Sequence, residues 1–84
     1  MYEVLLERTA ERDLKKLYVV EYRRIIPAIQ ALADNPRPVG SRKISGSQRD
    51  WRVRIGDYRV VYEIDDKARH VNVMRVRHRR EVYR

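Results

Sequence analysis

His78 is followed directly by Arg79 and Arg80, and Tyr83 lies three residues further on. Upstream, two short stretches alternate arginine with apolar residues: Trp51-Arg52-Val53-Arg54-Ile55 and Tyr58-Arg59-Val60-Val61-Tyr62. These residue types suit one chemistry in particular. An imidazole titrates near neutrality and can take or give a proton. Guanidinium groups fork onto phosphate oxygens and stay ionised. A phenol can stack on a base or donate a proton. Metal-free RNA cleavage needs little more: a base for the 2′-OH, cations for the phosphorane charge, and an acid for the leaving 5′-oxygen. DNA has no 2′-OH and cannot react this way.

Other constellations are missing. The two histidines, His70 and His78, form no HExxH, and there is no carboxylate-rich metal motif. No Gly-rich phosphate loop is present, and the three glycines fall in expected loops or turns. Ser41, Ser45 and Ser47 have no neighbouring His or Asp that suggests a triad. No metal or cofactor is expected, and any enzyme here should be metal-independent. Taken singly, each arginine reads as a solvated surface residue, His78 as a histidine closing a strand, and Tyr83 as a tyrosine capping the core. The set of arginines points instead to a polyanion site.

The charge is placed to match. The net charge is +8, with seven Lys or Arg against six Asp or Glu in residues 1–41 and thirteen against six in residues 42–84. Sixteen of the basic residues are Arg and four are Lys. A GC-rich genome would explain the preference for Arg, but not its clustering in one half. Basic, arginine-dominated halves favour nucleic acid as partner.

The elements that must hold these residues can be read from periodicity. Residues 2–7 read as a short strand. Thr9 stands as a helix N-cap, followed by the stripe Ala10, Leu14, Leu17, Tyr18. A break is expected at Val19-Val20, then a second helix from about Glu21 to Asp34, kinked at Pro27 or beginning near it. Residues 35–50 read as a loop with a short extended piece at Lys43-Ile44. Strands are expected at 51–55, 58–65 and 70–77, joined by a tight turn at Gly56-Asp57 and a looser one at residues 65–69. The order β-α-α-β-β-β implies an α+β domain over residues 1–84, with two N-terminal helices packed on one face of a small, mainly antiparallel sheet. Period 2 places Trp51, Val60 and Met74 under the helices, and Arg52, Arg54, Arg59, Arg75, Arg77 and Arg79 on the opposite face. Like charges so close together repel, which suggests a ligand that neutralises them. The absence of cysteine fits a reducing cytoplasm, and no apolar run is long enough for a membrane span.

The stretches Lys43-Ile44-Ser45-Gly46, Trp51 to Ile64 with its G-D-Y-R-V-V-Y core, and Val76 to Tyr83 with its H-R-R-E-V-Y segment together resemble the RelE/ParE toxin superfamily, most closely its RelE-type branch. Leu14-Lys15-Lys16-Leu17 and Ala31 to Pro36 fit as well, so the resemblance spans nearly the whole chain. It implies a toxin of a type II toxin–antitoxin module that enters the ribosomal A site, cuts the mRNA there and stops translation. It also implies a cognate antitoxin that wraps and blocks the toxin, the pair often repressing its own operon by binding operator DNA. By position, the family's basic pair on the first central strand falls on Arg52 and Arg54. Its phosphate-binding arginine falls on Arg59, its second active-site arginine on Arg79, and its C-terminal tyrosine on Tyr83. His78 sits beside Arg79, as in many relatives. Arg75, Arg77, Arg80 and Lys43 are expected to add RNA contacts. Some relatives carry Lys or Glu at the position of Arg52 and use it as the general base. Arginine is a poor base, so His78 becomes the candidate. Two further readings stay open: a ParE-like toxin that poisons DNA gyrase, and a non-catalytic nucleic-acid-binding module.

Overall fold

The computed structural model describes residues 1–82. In chain order the elements are β1 (Glu3–Leu6), α1 (Arg8–Lys15), α2 (Val19–Ala31), β2 (Ser41–Lys43), β3 (Asp50–Ile55), β4 (Tyr58–Asp65), β5 (His70–His78) and α3 (Arg79–Val82). The expected β-α-α-β-β-β order is present, with a short strand β2 and a terminal turn of helix α3 added to it. The strands form one five-stranded sheet in the order β1-β5-β4-β3-β2. Only β1 with β5 is parallel; the other three pairings are antiparallel.

Both helices cover one face of the sheet. Ala10 and Leu14 of α1, and Ile25, Ile29 and Leu32 from α2 and its C-cap, pack on Val53, Val60, Tyr62, Ile64, Val71, Val73 and Val76. Such a core is small, as it must be at this chain length. Trp51, Ile55 and Tyr58 pack against its margin.

Helix boundaries differ from the sequence reading for identifiable reasons. α1 starts two residues earlier than a Thr9 cap would allow. The Thr9 hydroxyl is used elsewhere, donating to the Met74 carbonyl at 2.7 Å. Glu7 is the N-cap residue, and its carboxylate accepts a bond from Asn72 Nδ2 rather than capping the helix. Val19 and Val20 open α2 instead of interrupting it. Pro27 lies inside α2 and neither starts nor ends it. The carbonyl it deprives of a helical partner belongs to exposed Arg23, where water can serve it.

The sheet departs from simple alternation at one place. Tyr62 stands opposite Val73, yet the preceding residue Val61 stands opposite Arg75, so Met74 is an extra residue in β5. Val71 and Val73 are therefore buried together with Val76. This corrects the expected face assignment, in which Met74 lay under the helices and plain alternation would put Val71 and Val73 on the opposite face.

Candidate functional site

Alternation along β3 and β4 brings the arginines together. Val53 faces Val60 on the helix side, so Arg54 faces Arg59 on the open side, and Arg42 faces Arg52. Arg77 stands opposite Arg59 on the far strand. A row of like charges in neighbouring cross-strand positions runs across the sheet, at some cost to stability. Between β2 and β4 it closes around a cleft of about 300 Å³ lined by Gly40, Arg42, Arg52, Arg54 and Arg59. That volume is at the small end of ligand pockets. Four guanidinium groups around one small volume form a strong anion site, and their fork geometry selects phosphate or carboxylate.

Two local devices shape the cleft. Arg54 Nε donates to the Gly56 carbonyl at 3.1 Å, leaving the guanidinium's terminal amino groups outside that bond. On the β2 side, the loop after α2 is tied to the core. Buried Tyr62 donates its hydroxyl to the Pro36 carbonyl at 2.7 Å, and burial raises its phenol pKa. Arg37 lies over the Trp51 ring at 5.1 Å and grips Asp66 through both amino groups. These contacts fix the segment that leads into Gly40 and Arg42.

The expected site residues do not all converge. Arg52, Arg54 and Arg59 line the cleft, and Arg77 extends its row beside Arg59, with Glu81 at 3.6 Å. Arg79 opens α3 near the β3–β4 turn. Its amide donates to the Asp57 carbonyl at 2.7 Å and its Nε is 4.0 Å from the Asp57 carboxylate. Arg75 is held away from the cleft. Asp13 of α1 accepts from Arg75 Nε and Nη2 at 2.9 and 3.2 Å and from the Val76 amide at 2.9 Å, and its carboxylate raises the Arg75 pKa. Arg80 is exposed on α3, and its amide donates to His78 Nδ1 at 3.2 Å. Lys43 pairs with Trp51, which places it on the helix-side face rather than in the cleft.

His78 is the principal departure. It stands opposite Tyr58, whose ring it meets edge-on at 5.2 Å. Tyr58 alternates with Val60 and Tyr62 on the helix side, so the imidazole lies on the opposite face from Arg54 and Arg59. With Nδ1 accepting from Arg80, the neutral ring carries its proton on Nε2. Tyr83 lies outside the described residues. Arg42 and Gly40 were missed from sequence. Arg42 alternates correctly with Lys43, but a three-residue edge strand is too short to show its phase.

The comparisons with known proteins agree in direction. The family described as "ParE toxin of type II toxin-antitoxin system, parDE" matches residues 4–83. The chain is 37% identical to Toxin RelG of Mycobacterium tuberculosis, over 99% of this chain and 97% of that one. It is 33% identical to Toxin RelE of the same organism, over 99% and 87%. Among solved structures, the archaeal RelE–RelB complex from Pyrococcus horikoshii OT3 superposes with a TM-score of 0.82 at 26% identity, covering 93% of this chain and 94% of that one.

Proposed function

Because the chain belongs to the RelE/ParE superfamily, the toxins of type II toxin–antitoxin modules, we propose that it is an endoribonuclease that cuts mRNA in the ribosomal A site and so inhibits translation. The observation that carries this reading is the cleft in which Arg42, Arg52, Arg54 and Arg59 surround one small volume. In the proposed reaction the 2′-oxygen attacks the adjacent phosphorus and the bond from phosphorus to the 5′-oxygen breaks. The products are a 2′,3′-cyclic phosphate and a free 5′-hydroxyl. Arg54 and Arg59 bind the phosphate and neutralise the charge that builds on its non-bridging oxygens. Arg42 and Arg52 hold the flanking backbone.

Among the described residues the cleft contributes charge and no base. Among those residues its lining holds only arginine and glycine, and His78 faces away. The 2′-proton therefore leaves to solvent or to a group on the ribosome, and Tyr83, placed by resemblance alone, is the candidate acid for the 5′-oxygen. Dependence on the ribosome follows: the chain supplies transition-state charge, and the ribosome presents the mRNA in the geometry for in-line attack. The reaction calls on no metal ion.

The same reading includes a cognate antitoxin as protein partner, and a toxin–antitoxin complex that binds operator DNA. It is supported by the Pyrococcus horikoshii relative, whose structure is a RelE–RelB complex. It places the protein in the cytoplasm, where translation occurs. Among the described residues no helix is long and apolar enough to cross a membrane.

The test adds the protein to a translating extract and maps mRNA 5′ ends. The expected result is new ends within codons for wild type and none for Arg59→Ala. Intact mRNA with wild-type protein would sink the proposal. Gyrase-linked DNA breaks in cells whose mRNA stays whole would favour the ParE-like reading, which the matched family's name keeps in play.

A further inference from the structure

The turn between β3 and β4 does more than reverse the chain. Gly56 adopts a left-handed backbone, φ 59°, which a side chain disfavours. The space above its Cα is filled by Arg24 of α2: a Cβ on Gly56 would lie 2.9 Å from Arg24 Nη2 and 3.1 Å from its Cζ. A guanidinium plane thus rests on the turn from the helix layer. The Gly56 carbonyl accepts from Arg54 Nε at 3.1 Å. The next residue, Asp57, receives the Arg79 amide on its carbonyl at 2.7 Å, and its carboxylate lies 4.0 Å from Arg79 Nε. Three arginines from three elements therefore meet on two consecutive turn residues.

We propose that Arg24 and Gly56 are positioning residues for the phosphate site, Arg24 clamping the turn so that the Gly56 carbonyl aims Arg54 into the cleft. The inference deepens the ribonuclease reading and rests on it for its effect on cleavage. The chemistry supports the division of labour. Nε is the one nitrogen of arginine attached to the side-chain stem, so bonding it fixes the direction of the whole guanidinium while the terminal amino groups face the ligand. A glycine is required twice over: for the positive φ, and for room under Arg24. Arg24 is an exposed helix residue, so its loss removes the clamp without removing core. Unclamped, the turn samples other conformations and Arg54 swings among rotamers, each of which weakens transition-state contacts that depend on sub-ångström placement.

The experiment follows the Arg54 side chain directly. In ¹⁵N-labelled protein, exchange of the Arg54 Nε–H with solvent is measured for wild type, Arg24→Ala, Arg24→Lys and Gly56→Ala, alongside melting temperature and the rate and KM of mRNA cleavage in the translating extract. We expect Arg24→Ala to keep the wild-type melting temperature within a few degrees, to speed Arg54 Nε–H exchange about tenfold, the equivalent of losing one hydrogen bond, and to lower kcat more than it raises KM. Arg24→Lys should not rescue, because an ammonium cannot lie flat on the turn. Gly56→Ala should speed exchange too, and Arg24→Ala distinguishes the clamp from general unfolding should Gly56→Ala fail to fold. Wild-type exchange of the Arg54 Nε–H in Arg24→Ala overturns the proposal. Should wild-type protein cut no mRNA, the ribonuclease reading fails while the exchange rates still decide whether Arg24 aims Arg54.

Discussion

Replacing Tyr62 with Phe removes one oxygen atom from the largest fully buried side chain among the described residues. The ring is fully buried and stays buried in the variant, so no large cavity opens and the hydrophobic contribution is nearly unchanged. What is lost is the 2.7 Å bond to the Pro36 carbonyl. Pro36 is itself buried, so its carbonyl is left without ready access to water. A net hydrogen bond is worth about 1 kcal/mol, and an unsatisfied buried acceptor raises the loss to about 1–3 kcal/mol. For a domain of this size each kcal/mol lowers Tm by roughly 4–8 °C, so a fall of roughly 4–24 °C is expected by circular dichroism. The second expected effect is on activity well below Tm. Pro36 begins the segment that delivers Gly40 and Arg42 to the cleft, so RNA cleavage at 25 °C should drop several-fold while Arg54 and Arg59 stay in place. A melting temperature within about 2 °C of wild type would refute the reasoning, because it would mean that the carbonyl finds another donor and the loop does not hang from Tyr62.

Other expectations are more direct. His78→Ala should cut mRNA within about threefold of wild type, whereas Arg59→Ala should be inactive and should lower the slope of log affinity for RNA against log salt by about one; equal losses in both variants would return the imidazole to the site. Asp13→Ala removes the carboxylate that binds Arg75 and the Val76 amide, and should destabilise by about 1–3 kcal/mol in urea unfolding, a neutral result showing that α1 does not rely on it. The Arg37 guanidinium, followed by the Tyr2 hydroxyl, holds the Asp66 carboxyl down to about 2. The carboxylate is favoured in the fold, so its contribution is complete above the ordinary value of 3.8 and is lost as pH falls toward about 2. Asp66→Asn should flatten the stability profile in that window and change little of its shape at neutral pH.

Much of the architecture could be read from the chain. The stripes at Ala10–Leu14 and Ile25–Ile29–Leu32 mark the two helices, and alternation from Trp51 to Ile64 marks the central hairpin and assigns Arg52, Arg54 and Arg59 to the open face. What could not be read depends on contacts distant in sequence. Thr9 looks like a cap until Met74 is found beside it. Arg42 is anonymous in a Pro- and Gly-rich loop until β3 pairs with it, and Lys43, one residue on, takes the wrong face. His78 lies between Arg77 and Arg79 in sequence, but strand alternation puts it on the opposite face from Arg77, and Arg79 has already left β5 for α3. Gly56 reads as a turn residue, and nothing near it in sequence announces that Arg24 lies across it.

The extra residue at Met74 changes how the last strand must be understood. A β-strand is a message in which alternate letters go to different addresses, and Met74 acts as a frameshift within it. Before the shift, Val71 and Val73 are addressed to the core; after it, Val76 continues to the core and Arg77 reaches the cationic face. Uninterrupted alternation would send Val71, Val73 and Arg77 to the same side, forcing a choice between a hydrophobic interior and a cationic surface. Removing Met74 would leave Val71, Val73 and Val76 facing the core and Arg77 and His78 on the faces they hold now, in unbroken register with β4. The bulge lets this strand carry one residue more than alternation needs, so a relative one residue shorter between Val73 and Val76 is expected to keep the same faces with a regular ladder, whereas a deletion between Arg75 and Arg77 with Met74 kept would turn Arg77 away from its row.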